Sequence, residues 1–141
     1  MEELVIDCTE KPETILFQVN YQETRLGKVT WSLDAFALWQ SPKQHTNQKS
    51  DGYIIRKELA DKILPPANIL RVLQKNPHCI PKEWENKAGS YPWRIFALGT
   101  TFHLNGVVLV EYLTKKDGEW TLGHWPLSFE MNSKDFSLIS R

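Results

Sequence analysis

The stretch ALGTTFHLNGVVLVEYLTKKDGEWTLGHWPL, residues 97–127, reads as three strands joined by two tight turns. Asn105-Gly106 lies between two apolar runs, and a two-residue type I′ turn needs positive φ at both central residues, which this pair tolerates. Asp117-Gly118 repeats the signal, flanked by the opposite charges of Lys116 and Glu119. With both turns two residues long, pairing follows by counting. The first hairpin sets Leu104 opposite Val107, Phe102 opposite Leu109, Thr100 opposite Glu111 and Leu98 opposite Leu113. The second sets Leu113 opposite Leu122, Tyr112 opposite Gly123 and Glu111 opposite His124.

This register predicts Leu98, Leu113 and Leu122 stacked on one face, with Phe102 and Leu109 as a second layer. The opposite face carries Tyr112 between Gly99 and Gly123, beside Thr101, Val110 and Trp125. Because the central strand is apolar on both faces, the sheet is expected to be covered on both sides or curled into a barrel. One polar row, Thr100, Glu111 and His124, interrupts the apolar layers. Cross-strand neighbours sit about 5 Å apart, so the three side chains form a continuous line. A nucleophilic triad needs its base between the nucleophile and the orienting acid. Here the carboxylate is in the middle, so the row reads first as a polar ladder that pins strand register. The catalytic alternative is a Glu111–His124 acid/base pair, with Thr100 beside it.

Outward from the meander, ELVID and TILFQVNYQ near the N-terminus read as strands, as does KVTW at 28–31. SLDAFALWQ, residues 32–40, fits a helix capped by Ser32, with Phe36 and Trp39 on one side, or an extended run; the helix is the expectation. The polar segment 41–52 contains Pro42 and ends in Asp51-Gly52, which marks a loop. YIIRKELADKIL begins as a strand and turns helical near Arg56. PPANILRVLQKNP is a short helix started by Pro66, with Ile69, Leu70, Val72 and Leu73 as its apolar stripe and Asn76-Pro77 as its stop. Residues 78–92 are a connector that returns Ile80 and Trp84 to the core. Together these elements predict one α+β domain over residues 1–141, with an antiparallel C-terminal meander and one or two short helices.

The 141 residues hold 17 Lys plus Arg and 17 Asp plus Glu, a net charge of zero. The basic residues are scattered. Neutrality argues against duplex nucleic acid, whose binding rests on neutralised phosphates, and against a polybasic membrane surface. No apolar run approaches a transmembrane helix, and the acidic N-terminus MEELVIDCTEKPE is not a secretory signal. Two cysteines, Cys8 and Cys79, are too few for a disulfide scaffold, so a cytoplasmic location is expected. His45, His78, His103 and His124 are widely spaced, and no CxxC, HExxH, GxGxxG or GxxxxGK[ST] pattern occurs. Neither a metal nor another cofactor is therefore predicted. Six tryptophans exceed what a small core needs. Trp is enriched at binding hot spots, which makes Trp39, beside the polar segment, and Trp120, beside the second turn, candidate partner contacts.

The segments NPHCIPKEW (76–84), IFALGT (95–100), EWTLGHW (119–125) and FSLISR (136–141) carry a resemblance. They resemble short uncharacterised bacterial proteins whose C-terminal halves read NPxxIPxEW, a strand ending in GT or GS, Trp-rich strands and a closing FLAVR-like stretch. The resemblance implies a bacterial or mobile-element origin and brings no activity and no site residue. The function expected from the sequence is a small non-catalytic protein-binding module: an adaptor, an inhibitor or an immunity-type factor. The alternative is an enzyme or small-ligand binder built on Glu111 and His124.

Overall fold

The computed structural model describes residues 3–85 and 93–141. In chain order its strands are β1 (Val5–Asp7), β2 (Gln18–Gln22), β3 (Lys28–Thr30), β4 (Phe36–Trp39), β5 (Arg94–Leu104), β6 (Val107–Lys116), β7 (Glu119–Pro126) and β8 (Asp135–Ser140). Helices α1 (Gly52–Glu58) and α2 (Ala67–Lys75) lie between β4 and β5. The main sheet has the order β4-β8-β5-β6-β7, with β2 pairing onto β5, while β1 and β3 form a separate ribbon. Among the described strands, only β5 and β8 run parallel. The result is an α+β domain with a C-terminal meander. Among the described residues the sheet is open, not a closed barrel, and no helix is long and apolar enough to cross a membrane.

Both sheet faces are covered, as the two-sided apolar strand requires. On one face Ile95, Ala97, Leu113 and Leu138 pack with Ile69, Leu70 and Leu73 of α2 and with Ile6 and Cys8 from the ribbon side. On the other, Phe96, Leu98 and Val110 pack with Ile55 of α1, with Leu59 at its C-terminal end, and with Leu127 and Met131. The alternation along β5 divides its side chains between these two cores. Helix α2 follows its sequence pattern closely. Pro66 sits at the N-cap, Ile69, Leu70 and Leu73 are fully buried, Val72 is half-buried, and Asn76 ends the helix. Ile80 and Trp84 return to the core as expected. The remainder of that connector, residues 86–92, lies outside the described residues.

Both glycine turns form as the sequence requires, with φ of 50° and 83° at Asn105-Gly106 and 52° and 81° at Asp117-Gly118. The β6–β7 register is the predicted one, including Leu113↔Leu122, Tyr112↔Gly123 and Glu111↔His124. The β5–β6 register holds only beside its turn. Phe102 pairs with Leu109, but Glu111 then faces Ala97 and Leu113 faces Ile95, not Thr100 and Leu98. Four β5 residues, 98–101, thus oppose Val110 alone. The backbone of Gly99 explains this bulge. Its N–H donates to Pro65 O at 3.0 Å and its carbonyl accepts from Glu23 N at 2.7 Å, so both groups are diverted from β6. A Cβ at Gly99 would lie 2.2 Å from Leu64 O, so only glycine allows the approach. The slip is an odd number of residues, which transfers Leu98 to the opposite core and breaks the expected leucine stack.

Two further expectations are corrected. Residues 36–39 are strand β4, paired with β8 from Phe36↔Ser140 to Trp39↔Ser137, not part of a helix. Ser32 instead accepts from Asp34 N in a tight turn. The segment YII is helical from the outset, because Asp51 caps α1 by accepting from Tyr53 N at 2.9 Å and Ile54 N at 3.1 Å. Asp51-Gly52 is therefore a helix start, and Gly52 is needed where a Cβ would meet Leu127 at 2.5 Å. The polar segment before it contains a 3-10 turn, Pro42–His45, closed by a capping box between Ser41 and Gln44.

Candidate functional site

Glu111 and His124 meet across β6 and β7, but Thr100 does not join them. Its hydroxyl donates to Gln22 Oε1 at 2.7 Å and accepts from Ala67 N at 2.9 Å. Pro66, as N-cap, has no side chain to satisfy that amide, so Thr100 supplies the missing cap from the sheet. Four residues along the same helix, Arg71 reaches Glu111. Its Nε donates to Oε2 at 3.0 Å and its Nη2 to Oε1 at 2.9 Å, a two-pronged ion pair. The expected polar row is therefore two separate tethers between the sheet and successive turns of α2.

Glu111 is 1% exposed and the Arg71 side chain 22%. His124 Nε2 lies 3.1 Å from Glu111 Oε1 but off the direction a hydrogen bond needs. Burial alone would raise the Glu111 pKa; His124 and Arg71 beside it outweigh that and hold the carboxyl below its ordinary range. A carboxylate kept ionised by a fixed guanidinium is a poor general base. The imidazole is walled by Phe17 at 4.5 Å and Phe102 at 5.4 Å, both edge-to-face. Arg71 also lies over the Phe102 ring and donates through Nη1 to Glu13 O. The cluster thus binds α2, the meander and the N-terminal segment into one unit.

That segment is held at more than one point. Gln22 donates to Cys8 O, Glu10 O and Asn68 Oδ1, and Asn68 donates to Asp7 O and Glu10 O. After this clasp the chain turns at Thr14, whose hydroxyl donates to Phe17 O. Ile15 and Leu16 at the turn are 100% and 72% exposed, between the anchored clasp and the anchored Phe17 ring. Their apolar character suggested strand in the sequence; only the pairing of β2 places them outside it.

A second buried ion pair had no counterpart in the sequence reading. Arg94 donates to Asp135 through Nε at 2.7 Å and Nη2 at 3.0 Å, and Asp135 also accepts from Asn132 N. The guanidinium lies 4.0 Å from the Trp125 ring centroid. Arg94 and Asp135 are partners across the parallel β5–β8 pair, a contact no local pattern announces.

The tryptophans proposed as contacts are both half-buried. Trp39 packs against the α1 core, and Trp120 packs against the α2 core with Lys115 5.8 Å from its ring centroid. Trp31 stacks on Phe36 and donates Nε1 to Cys79 O, so core packing takes up much of the tryptophan surplus. Among the described residues, no three His, Cys, Asp or Glu side chains gather into a metal-binding group. No family model, curated protein or solved structure matches the chain.

Proposed function

We propose that the protein is a non-catalytic binding module that recognises a protein partner through the Ile15–Leu16 turn. The exposure of these two adjacent side chains carries the reading. A solvent-exposed Ile-Leu pair is costly to display, and here it is mounted on a clasp of hydrogen bonds on one side and on Phe17 on the other. Such pre-ordering lowers the entropic cost of forming a contact. Pairing of Gln18 with His103 directs this segment toward the Asn105-Gly106 end of the sheet, where Val107 is also exposed. The enzymatic alternative is less well supported, because Glu111 is sealed and paired with Arg71. An adaptor, inhibitor or immunity-type role in a bacterial cytoplasm suits this reading.

The test is affinity capture from the source organism with the parent chain and an Ile15→Asp/Leu16→Asp double variant. Burying one such side chain contributes about 1.5–3 kcal/mol, so the variant is expected to lose at least about a hundredfold in affinity. Its thermal stability should not change, since neither side chain is in the core. A variant that retains every partner of the parent overturns the proposal.

A further inference from the structure

A second feature lies away from both the Glu111 cluster and the Ile15–Leu16 turn. Where residues 98–101 bow out of the β5–β6 ladder, a cleft of about 360 Å³ opens between β2, α1 and the chain that follows α1. That volume falls within the range of small-ligand sites. Its floor rests on the buried core residues Leu59, Leu64 and Leu98, and its walls carry Tyr21 and Tyr53, 45% and 51% exposed. Four cations, Arg25, Arg56, Lys57 and Lys62, line it against one carboxylate, Glu23. Arg25 pairs with Glu23 and cancels that charge. Among the described residues, Arg56, Lys57 and Lys62 have no carboxylate partner. The adjacent Glu58 is turned away, accepting from Ser41 Oγ at 2.9 Å.

A neutral chain thus gathers three uncompensated cations around two open aromatic rings. Arg56 lies 5.6 Å from the Tyr21 ring centroid, so its guanidinium is steadied by the ring and keeps a donor edge for an anion. We propose that this cleft binds a mononucleotide-sized ligand, with a flat ring against Tyr21 and Tyr53 and a phosphate held by Arg56, Lys57 and Lys62. The ring accounts for the exposed tyrosines, and the phosphate for the unpaired cations. A cleft of this size on a protein of zero net charge favours a small ligand over a polymer, which needs a basic track along its backbone.

The test is calorimetric titration of the full chain with the four common nucleoside 5′-monophosphates, their nucleosides, inorganic phosphate and a ten-residue oligothymidylate. At least one monophosphate should bind with Kd below about 1 mM, and about tenfold tighter than its nucleoside or inorganic phosphate. Arg56→Gln/Lys62→Gln should weaken it about tenfold or more, and Tyr53→Ala should remove the preference over inorganic phosphate. Lys57→Gln and Lys62→Gln, at exposed positions, serve as single variants whose fold is not at issue. Absence of monophosphate binding, equal binding of inorganic phosphate, or unchanged binding in the cationic variants overturns the assignment. Tighter binding of the oligothymidylate also overturns it, in favour of single-stranded nucleic acid.

Discussion

Glu111→Gln tests the central cluster most directly, because it removes one charge and almost no volume. Glu111 is 1% exposed and takes two hydrogen bonds from Arg71. The amide retains one acceptor oxygen, so one charge-assisted bond is lost and the Arg71 cation is left without its counter-ion. Breaking a fully buried pair costs about 3–5 kcal/mol. Arg71 is 22% exposed and also donates to Glu13 O, so water and that carbonyl offset part of the loss. The expected destabilisation is about 2–3 kcal/mol, or a Tm lower by about 6–9 °C for a domain of this size. The assay is thermal unfolding followed by circular dichroism. A second variant, Arg71→Met/Glu111→Met, removes both charges together and should recover most of the loss, because the uncompensated charge is what destabilises.

The same residue gives a pH dependence with a definite sign. Its folded pKa is below that of the unfolded chain, which is about 4.3, so its contribution is fully present above that value. It is lost as pH falls through the folded pKa, because the unfolded state takes up the proton first. The stability difference between the parent and Glu111→Gln should therefore be largest near neutral pH and shrink on acidification. A Tm change below about 2 °C at pH 7, or a difference that does not shrink in acid, refutes the assignment of Glu111 as a structural ion-pair anchor.

Two other outcomes are expected. Gly99→Ala places a Cβ against the Leu64 and Pro65 carbonyls and should destabilise by about 3 kcal/mol or more, whereas Gly106→Ala, which meets no atom within 4 Å, should cost about 1 kcal/mol; urea unfolding of both separates crowding from backbone strain. Cys8 is fully buried, and burial with nearby Asp7 pushes its thiol up to about 11, so a thiol reagent at neutral pH should label half-buried Cys79 in the native protein and both cysteines only after denaturation. Rapid native labelling of both would place Cys8 outside the core.

Some features of this protein are legible one segment at a time. Asn105-Gly106 and Asp117-Gly118 form their turns because the required positive φ is a property of those residues, and Pro66 and Asn76-Pro77 bound α2 for similarly local reasons. A two-residue turn leaves no freedom in register, so the Glu111–His124 pairing across the second hairpin follows by counting. The same counting fails along β5, although its turn is equally tight. There Gly99 gives its N–H to Pro65 and its carbonyl to Glu23, partners 34 and 76 positions away that no local pattern names. Strand β4 likewise depends on β8, since the Ser32–Gln40 stretch also satisfies a helical pattern until a neighbouring strand takes its backbone groups. Glu111 and His124 could be found from spacing alone. Arg71, 40 residues before Glu111, could not, because its approach depends on how α2 packs across the sheet. Local dihedral preferences thus determined the turns, α2 and the β6–β7 register. Backbone hydrogen bonds and ion pairs made at long range decided the bulge, the cleft beside it and what Glu111 does.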